Sequence, residues 1–171
     1  TVLAIKNALE GDNCQVELLE ASEELPLKLM KHDIDIVFNI AEGTQGRGRE
    51  SEIPAIMNFY KIPYTGSDET TLCLALDKAL TKRVLATYHI RTPKYQVISK
   101  DQTKINGNFT YPAIVKPNAE GSSKGISDVA IVSNPSQLKS LVSKNINLYH
   151  QDMLVEEYIG GREFTIGILG N

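Results

Sequence analysis

Apolar residues at Val2, Leu3, Ile5, Ala8 and Leu9 recur at helical spacing up to Gly11, so the chain is expected to open inside an amphipathic helix, with further sequence before it. The pattern then predicts a strand from Gln15 to Glu20 and a short helix from Glu23 to Lys31. The apolar run Ile34-Asp-Ile-Val-Phe-Asn-Ile40 reads as a buried strand of a parallel sheet. A loop, Ala41 to Arg49, leads into a helix with Ile53, Ala55, Ile56 and Phe59 available for packing, and Ile62-Pro-Tyr-Thr-Gly66 returns as a short strand and turn. This alternation is α/β, and in open α/β sheets the loops at strand C-termini are where ligands bind.

Ser67 or Asp68 can cap a helix running through Leu76. A second amphipathic segment runs from Asp77 to Ala86 before Thr92-Pro93 interrupts the pattern, and a domain boundary is expected near Ser67. From Tyr95 the texture is that of strands: Tyr95 to Ser99, Ala113 to Lys116 and Val129 to Val132. A helix near Pro135 to Lys144 follows, and then a hairpin from Met153 to Leu169 that turns at Gly160-Gly161.

Composition narrows the class. The 171 residues are 42% hydrophobic and 23% charged, enough for one sizeable core or two small ones. A net charge of −3 offers no general attraction for nucleic acid or an anionic membrane surface, so neither is expected as a partner. Cys14 and Cys73 fit no metal-ligand spacing and read as two buried reduced thiols, which suits a cytoplasmic protein. No segment reaches membrane-spanning length, and none has the apolar core and small-residue cleavage site of an export signal.

Three segments carry chemistry. Lys116 lies on a strand between Val115 and Pro117, where a partly apolar wall weakens screening and makes its charge more effective on phosphate; a solubilising edge lysine is the alternative. The loop Glu120-Gly-Ser-Ser-Lys-Gly125 combines glycines at Gly121 and Gly125, which permit close backbone approach, with the hydroxyl and amide donors of Ser122 and Ser123. It follows its strand lysine, whereas a Walker lysine follows its glycines, so it is not a P-loop. In the hairpin, alternation puts Leu154 and Glu156 on one face with Val155 and Glu157 on the other, and Glu163 and Thr165 on the return strand. A carboxylate there can accept two ribose hydroxyls, and backbone groups at Glu157 and Ile159 can read an adenine edge; a solvated acidic face is the alternative.

The order of these segments resembles the D-alanine:D-alanine ligase family of the ATP-grasp superfamily over nearly the whole chain. The matching elements are Ile62-Pro-Tyr-Thr-Gly-Ser67, Leu76-Asp-Lys-Ala-Leu-Thr-Lys82, Ile90-Arg-Thr-Pro93, Tyr111-Pro-Ala-Ile-Val-Lys-Pro117, Glu120-Gly-Ser-Ser123, Val155-Glu-Glu-Tyr-Ile159 and Arg162-Glu-Phe-Thr165. The resemblance implies a small parallel-sheet, Rossmann-like pre-ATP-grasp domain over residues 1–66. An α+β central ATP-grasp domain would follow over 67–156, with the start of a truncated C-terminal domain over 157–171. It implies a cytoplasmic ATP-dependent ligase of cell-wall (peptidoglycan) biosynthesis, working on ATP and amino acids with magnesium and assembling as a homodimer. Lys78 and Lys116 would contact ATP phosphates. Glu120, Gly121, Ser122 and Ser123 would form the closing loop, with Ser122 catalytic. Glu156, Glu157 and Ile159 would receive adenine, and Glu163 the ribose.

Two departures qualify this expectation. Where the family usually carries His-Gly and an acidic Gly-Glu-Asp-Gly stretch, this chain has Ala41-Glu42-Gly43 and Gly46-Arg-Gly-Arg-Glu50. Glu42, Arg47 and Arg49 are therefore candidate substrate-binding residues whose altered charge would change which carboxylate or amine is accepted; a solvated loop is the alternative. The family's catalytic arginine and its Asp, Glu and Asn magnesium ligands would lie after Asn171, so no metal ligand is expected within the chain and the chain alone is expected to be inactive.

Overall fold

The structure is a computed structural model that describes residues 1–99, 109–121 and 130–168. The chain divides into two compact units: Thr1–Gln45 with Arg49–Thr71, and Gly46–Gly48 with Leu72–Asn171.

The first unit contains α1 (Val2–Gly11), α2 (Leu25–Leu29) and α3 (Glu52–Tyr60), the last entered through a 3-10 turn at Arg49–Ser51. Leu25 and Leu29, one turn apart on α2, meet Ile53 and Met57, one turn apart on α3, and this quartet is the core of the unit. α1 buries none of its residues, and Leu3 stays 66% exposed.

The expected parallel sheet of this half is reduced to a single parallel bridge between Val37 and Tyr64. Val37 donates to Pro63 O at 2.8 Å and accepts from Thr65 N at 2.9 Å. Ile36, Phe38 and Ile40 remain exposed, so the run 34–40 is extended without gaining a ladder. Gln15 to Glu20 likewise forms no assigned strand, because a strand needs a paired neighbour and none is assigned to it among the described residues.

The division between units falls within α4 (Glu69–Leu76), whose start is capped by Asp68: its Oδ1 accepts from Thr71 N at 2.7 Å. The second unit then runs through α5 (Lys78–Thr87), β1 (Tyr95–Ile98), β2 (Ala113–Pro117), β3 (Ile131–Val132), α6 (Pro135–Tyr149) and β4 (Met153–Glu157). The four strands form one antiparallel sheet in the order β1-β4-β2-β3. The α/β class therefore holds, with the only sheet among the described residues antiparallel and in this unit.

The hairpin expected from Met153 to Leu169 does not form over the described part of that range. β4 already pairs with β1 on one edge and β2 on the other, which leaves no edge for a return strand. Residues 158–168 continue as irregular, exposed chain.

Strand alternation splits the sheet into two faces. Ala113, Val115, Ile98, Met153 and Val155 point to α6 and pack against its Leu138, Val142 and Ile146, spaced one turn apart. Apart from the smaller Ala113, each of these buried side chains contributes about 1.5–3 kcal/mol relative to exposure. α6 is fixed at its start by Asn134, whose Oδ1 accepts from Gln137 N, while Gln137 Oε1 accepts from Ser133 N. The other face presents Ile114 and Lys116 of β2, Leu154 and Glu156 of β4, and Tyr95 of β1.

Candidate functional site

The polar residues of this second face belong to three elements held together by hydrogen bonds. Asp77, 4% exposed, is the N-cap of α5, and its Oδ1 accepts from Leu80 N at 3.0 Å. Asn118, just past β2, donates through Nδ2 to the same oxygen at 2.8 Å and accepts from Ala79 N at 3.0 Å. Its backbone carbonyl takes Lys78 N at 3.0 Å, and its own N–H donates to Asp152 O at 2.9 Å. The first turn of α5, the end of β2 and the approach to β4 are thus tied at one residue.

Burial pushes the Asp77 carboxyl up, but hydrogen bonds from Leu80 and Asn118, together with the charge of Arg47, outweigh it and hold the group below the usual aspartate value. Arg47 Nε lies 3.6 Å from Asp77 Oδ2 while its side chain stays 77% exposed.

This anchoring aims two lysines. Lys78, the first residue of α5, donates through Nζ to the backbone carbonyl of Glu120, at the threshold of the glycine-serine loop. Glu120 Oε1 accepts from Gln151 Nε2 at 2.8 Å, and Gln151 Oε1 accepts from Ala119 N at 2.9 Å, so the loop's first residues are fastened from the α6–β4 connection as well. Lys116 reaches along the sheet face to Glu156, its Nζ bonded to Oε1.

Glu156 is, with Asp77, one of the two buried carboxylates of the group. Its side chain is 7% exposed, with Lys116 at one oxygen and Lys82 Nζ 2.8 Å from the other. Burial raises its carboxyl, and the hydrogen bonds and charges of Lys116 and Lys82 more than reverse this, leaving it below the usual glutamate value. Lys82 also donates to Pro93 O at 3.1 Å and lies 5.2 Å from the centroid of the Tyr95 ring.

Among the expected site residues, Lys78, Lys116, Glu120 and Glu156 therefore belong to one hydrogen-bonded face of the second unit. Gly121 follows directly at the loop entrance, and Ser122 and Ser123 lie outside the described residues. Glu157 ends β4 with its side chain accepting from Lys94 N at 3.1 Å and its own N–H donating to Lys94 O. Ile159 and Glu163 follow on the exposed chain after the strand. Glu42, which is exposed, and Arg49 belong to the first unit, whereas Arg47 groups with the second.

Three participants were not singled out from the sequence: Asp77, Lys82 and Asn118. The signals were present, since Asp77 precedes a helical period as an N-cap does and Lys82 stands one turn after Lys78. Asn118 had no signal of its own, because its role depends on β2 ending beside α5. The expectation of buried thiols is corrected: Cys14 and Cys73 are both exposed, on segments that present those positions outward. Among the described residues no three His, Cys, Asp or Glu side chains converge as a metal-holding group. No described helix is long and apolar enough to cross a membrane.

Known proteins resemble this chain in sequence and in fold. The chain is 33% identical over 168 residues to a D-alanine–D-alanine ligase of Geobacter sulfurreducens, a match covering 97% of this chain and 51% of that protein. Among solved structures, a D-alanine–D-alanine ligase from Bacillus anthracis aligns with a TM-score of 0.71 at 25% identity, over 85% of this chain and 47% of its own. The VanG D-Ala:D-Ser ligase from Enterococcus faecalis aligns with a TM-score of 0.62 at 26% identity, over 76% and 38%. The chain spans about half the length of the curated relatives it matches. Residues 84–171, more than half of the chain, match the family described as D-ala D-ala ligase C-terminus, and the chain belongs to the D-alanine–D-alanine ligase family.

Proposed function

We propose that this chain is the ATP-holding part of an ATP-dependent carboxylate–amine ligase that joins two D-alanine molecules. The observation that carries the reading is the shared sheet face. Lys78 reaches the entrance of the glycine-serine loop, and Lys116 runs along the same strand that leads into it. An ammonium group at the entrance of a glycine-rich loop, with a second lysine on the strand that leads into it, suits the polyphosphate of a nucleotide. Glu156 and the backbone of Glu157 and Ile159 would meet the adenine edge, Glu163 the ribose, and Ser122 and Ser123 the outer phosphates from the closing loop.

In this reaction ATP phosphorylates the carboxylate of one D-alanine, and the amine of a second displaces phosphate from the acylphosphate. The lysines hold the phosphates in line and neutralise developing charge. Magnesium would be held by residues other than those described. Division at 1–66, 67–156 and 157–171, with a Rossmann-like pre-ATP-grasp domain first, a cytoplasmic location and a homodimeric assembly belong to the same proposal.

The test is to supply the full-length protein that carries this chain with ATP, magnesium and D-alanine. The expected result is one phosphate released per dipeptide formed. Phosphate release independent of any amino acid, or none at all, overturns the ligase reading.

A second reading keeps the chemistry and changes the second substrate. It is favoured by the D-Ala:D-Ser ligase among the structural neighbours and by the basic 46–50 loop, where Arg47 pairs with Asp77. In that case Glu42, Arg47 and Arg49 shape the amino-acid site, and D-serine would outcompete D-alanine as the attacking amine. An Arg47→Ala variant would then alter amino-acid affinity more than ATP affinity.

A further inference from the structure

Lys82 differs from the other lysines of the site in how firmly it is held. Its side chain is 10% exposed against 18% for Lys116, and it is tied to Glu156, to the Pro93 carbonyl and to the Tyr95 ring. Lys116 lies at the opposite oxygen of the same carboxylate, on the strand that leads toward the glycine-serine loop.

A lysine paired with a buried carboxylate cannot serve phosphate unless the carboxylate keeps another cation, because an unpaired buried charge is strongly unfavourable. Glu156 has that second cation 2.8 Å away. We infer that Lys82 is the resident counter-ion of Glu156, a positioning residue that lets Lys116 leave the carboxylate for the phosphates of the nucleotide while Glu156 stays charged and in place.

This rests on the nucleotide reading above and adds which lysine stays and which moves. Removing Lys82 leaves Lys116 as the sole neutralising partner of the pair and pins it there. ATP then loses one of its phosphate contacts, whereas adenosine, which carries no phosphate, loses nothing through Lys116.

The experiment measures ATP and adenosine affinity in the full-length protein by displacement of a fluorescent ATP analogue. Lys82→Met is expected to weaken ATP by about tenfold or more, the worth of a charge-assisted hydrogen bond, and adenosine by less than about twofold. Lys82→Arg, which keeps the charge, should restore ATP binding. Should Lys82→Met fold poorly, Lys82→Gln retains a donor for Pro93 and is read in the same way. An equal loss for both ligands, or a loss that Lys82→Arg does not relieve, overturns the inference and reduces Lys82 to a tether of the α5–β1 connection. Wild-type protein that binds no ATP would instead bring down the underlying nucleotide reading.

Discussion

The side chain of Asn118 bonds in both directions to the start of α5, donating to the Asp77 carboxylate at 2.8 Å and accepting from the Ala79 amide at 3.0 Å. One buried amide thereby completes a helix cap and satisfies one of the N–H groups that every helix start leaves over. Asn118→Ala should cost about 2 kcal/mol, because it leaves Ala79 N–H without this acceptor and Asp77 without this donor. Urea denaturation checks the cost. A parallel loss of ATP affinity is expected because Lys78 is the next residue after the cap.

Glu156 and Asp77 give the second unit a specific acid sensitivity. Both carboxyls sit below their ordinary values of 4.5 and 3.8 in the folded protein. A depressed carboxyl contributes stability at pH above its unfolded value and loses it as pH falls through the folded value. Stability should therefore be retained down to about pH 4.5 and fall steadily below it. Glu156→Gln should flatten that fall. At neutral pH the same variant should be less stable by on the order of 3 kcal/mol, since Lys82 and Lys116 are left facing each other. Urea midpoints across the acid range for the two proteins decide the matter.

Lys78→Met tests the phosphate assignment while keeping the helix start, because the cap bond comes from Leu80 N–H and the Asn118 carbonyl accepts from the backbone N–H of Lys78; the bond from its ammonium to the Glu120 carbonyl is lost. ATP affinity by calorimetry should drop about tenfold to a hundredfold, as expected for a lost charge-assisted hydrogen bond. Unchanged affinity would remove Lys78 from the nucleotide site.

Two glycines of the Ala41 to Arg49 loop should respond differently to alanine. Gly43 has φ of +72°, and an added Cβ would run into the backbone carbonyl of Arg49, so Gly43→Ala must displace main chain. A loss of more than about 2 kcal/mol is expected. Gly46 has φ of +81° with nothing within 4 Å of an added Cβ, so Gly46→Ala bears only the left-handed conformational cost of about 1–2 kcal/mol. Melting temperatures of the two variants should rank in that order.

Both cysteines should react with a chromogenic disulfide reagent in the native protein, giving two fast equivalents per chain, because Cys14 and Cys73 are exposed. Thiols that react only after denaturant is added would contradict that exposure.

Local signals carried the helices well. The helix expected near Pro135 to Lys144 is Pro135–Tyr149, running past its expected end, and the Asp77 to Ala86 segment is the helix Lys78–Thr87. Strands β1, β2 and β4 were legible from their apolar texture, although only β2 alternates buried with half-buried positions and β4 is buried on both faces through Glu156. Pairing was not legible. Nothing in residues 153–157 alone says that they lie between β1 and β2, and the Gly160-Gly161 pair made a hairpin look attractive. The run 34–40 has the composition of a buried strand, but composition cannot supply the neighbours that make a ladder. Lys116 and Glu156 were each visible as candidates, whereas their bond is set by strand register, and the Lys82 contact by the packing of α5.

The position of β4 also bears on how the second unit comes into being. β1 and β2 share no ladder with each other, and each pairs with β4, which is the last strand in chain order. The sheet therefore cannot close while the protein is being made until residues 153–157 have left the ribosome. Its longest-range pairing, Tyr95 with Glu156, must then form late and slowly. A nascent chain halted after Asp152 should have α6 with no more of the sheet than the short β2–β3 ladder, and pulsed proteolysis of ribosome-bound chains of increasing length would reveal protection of β1 arriving only once β4 has emerged.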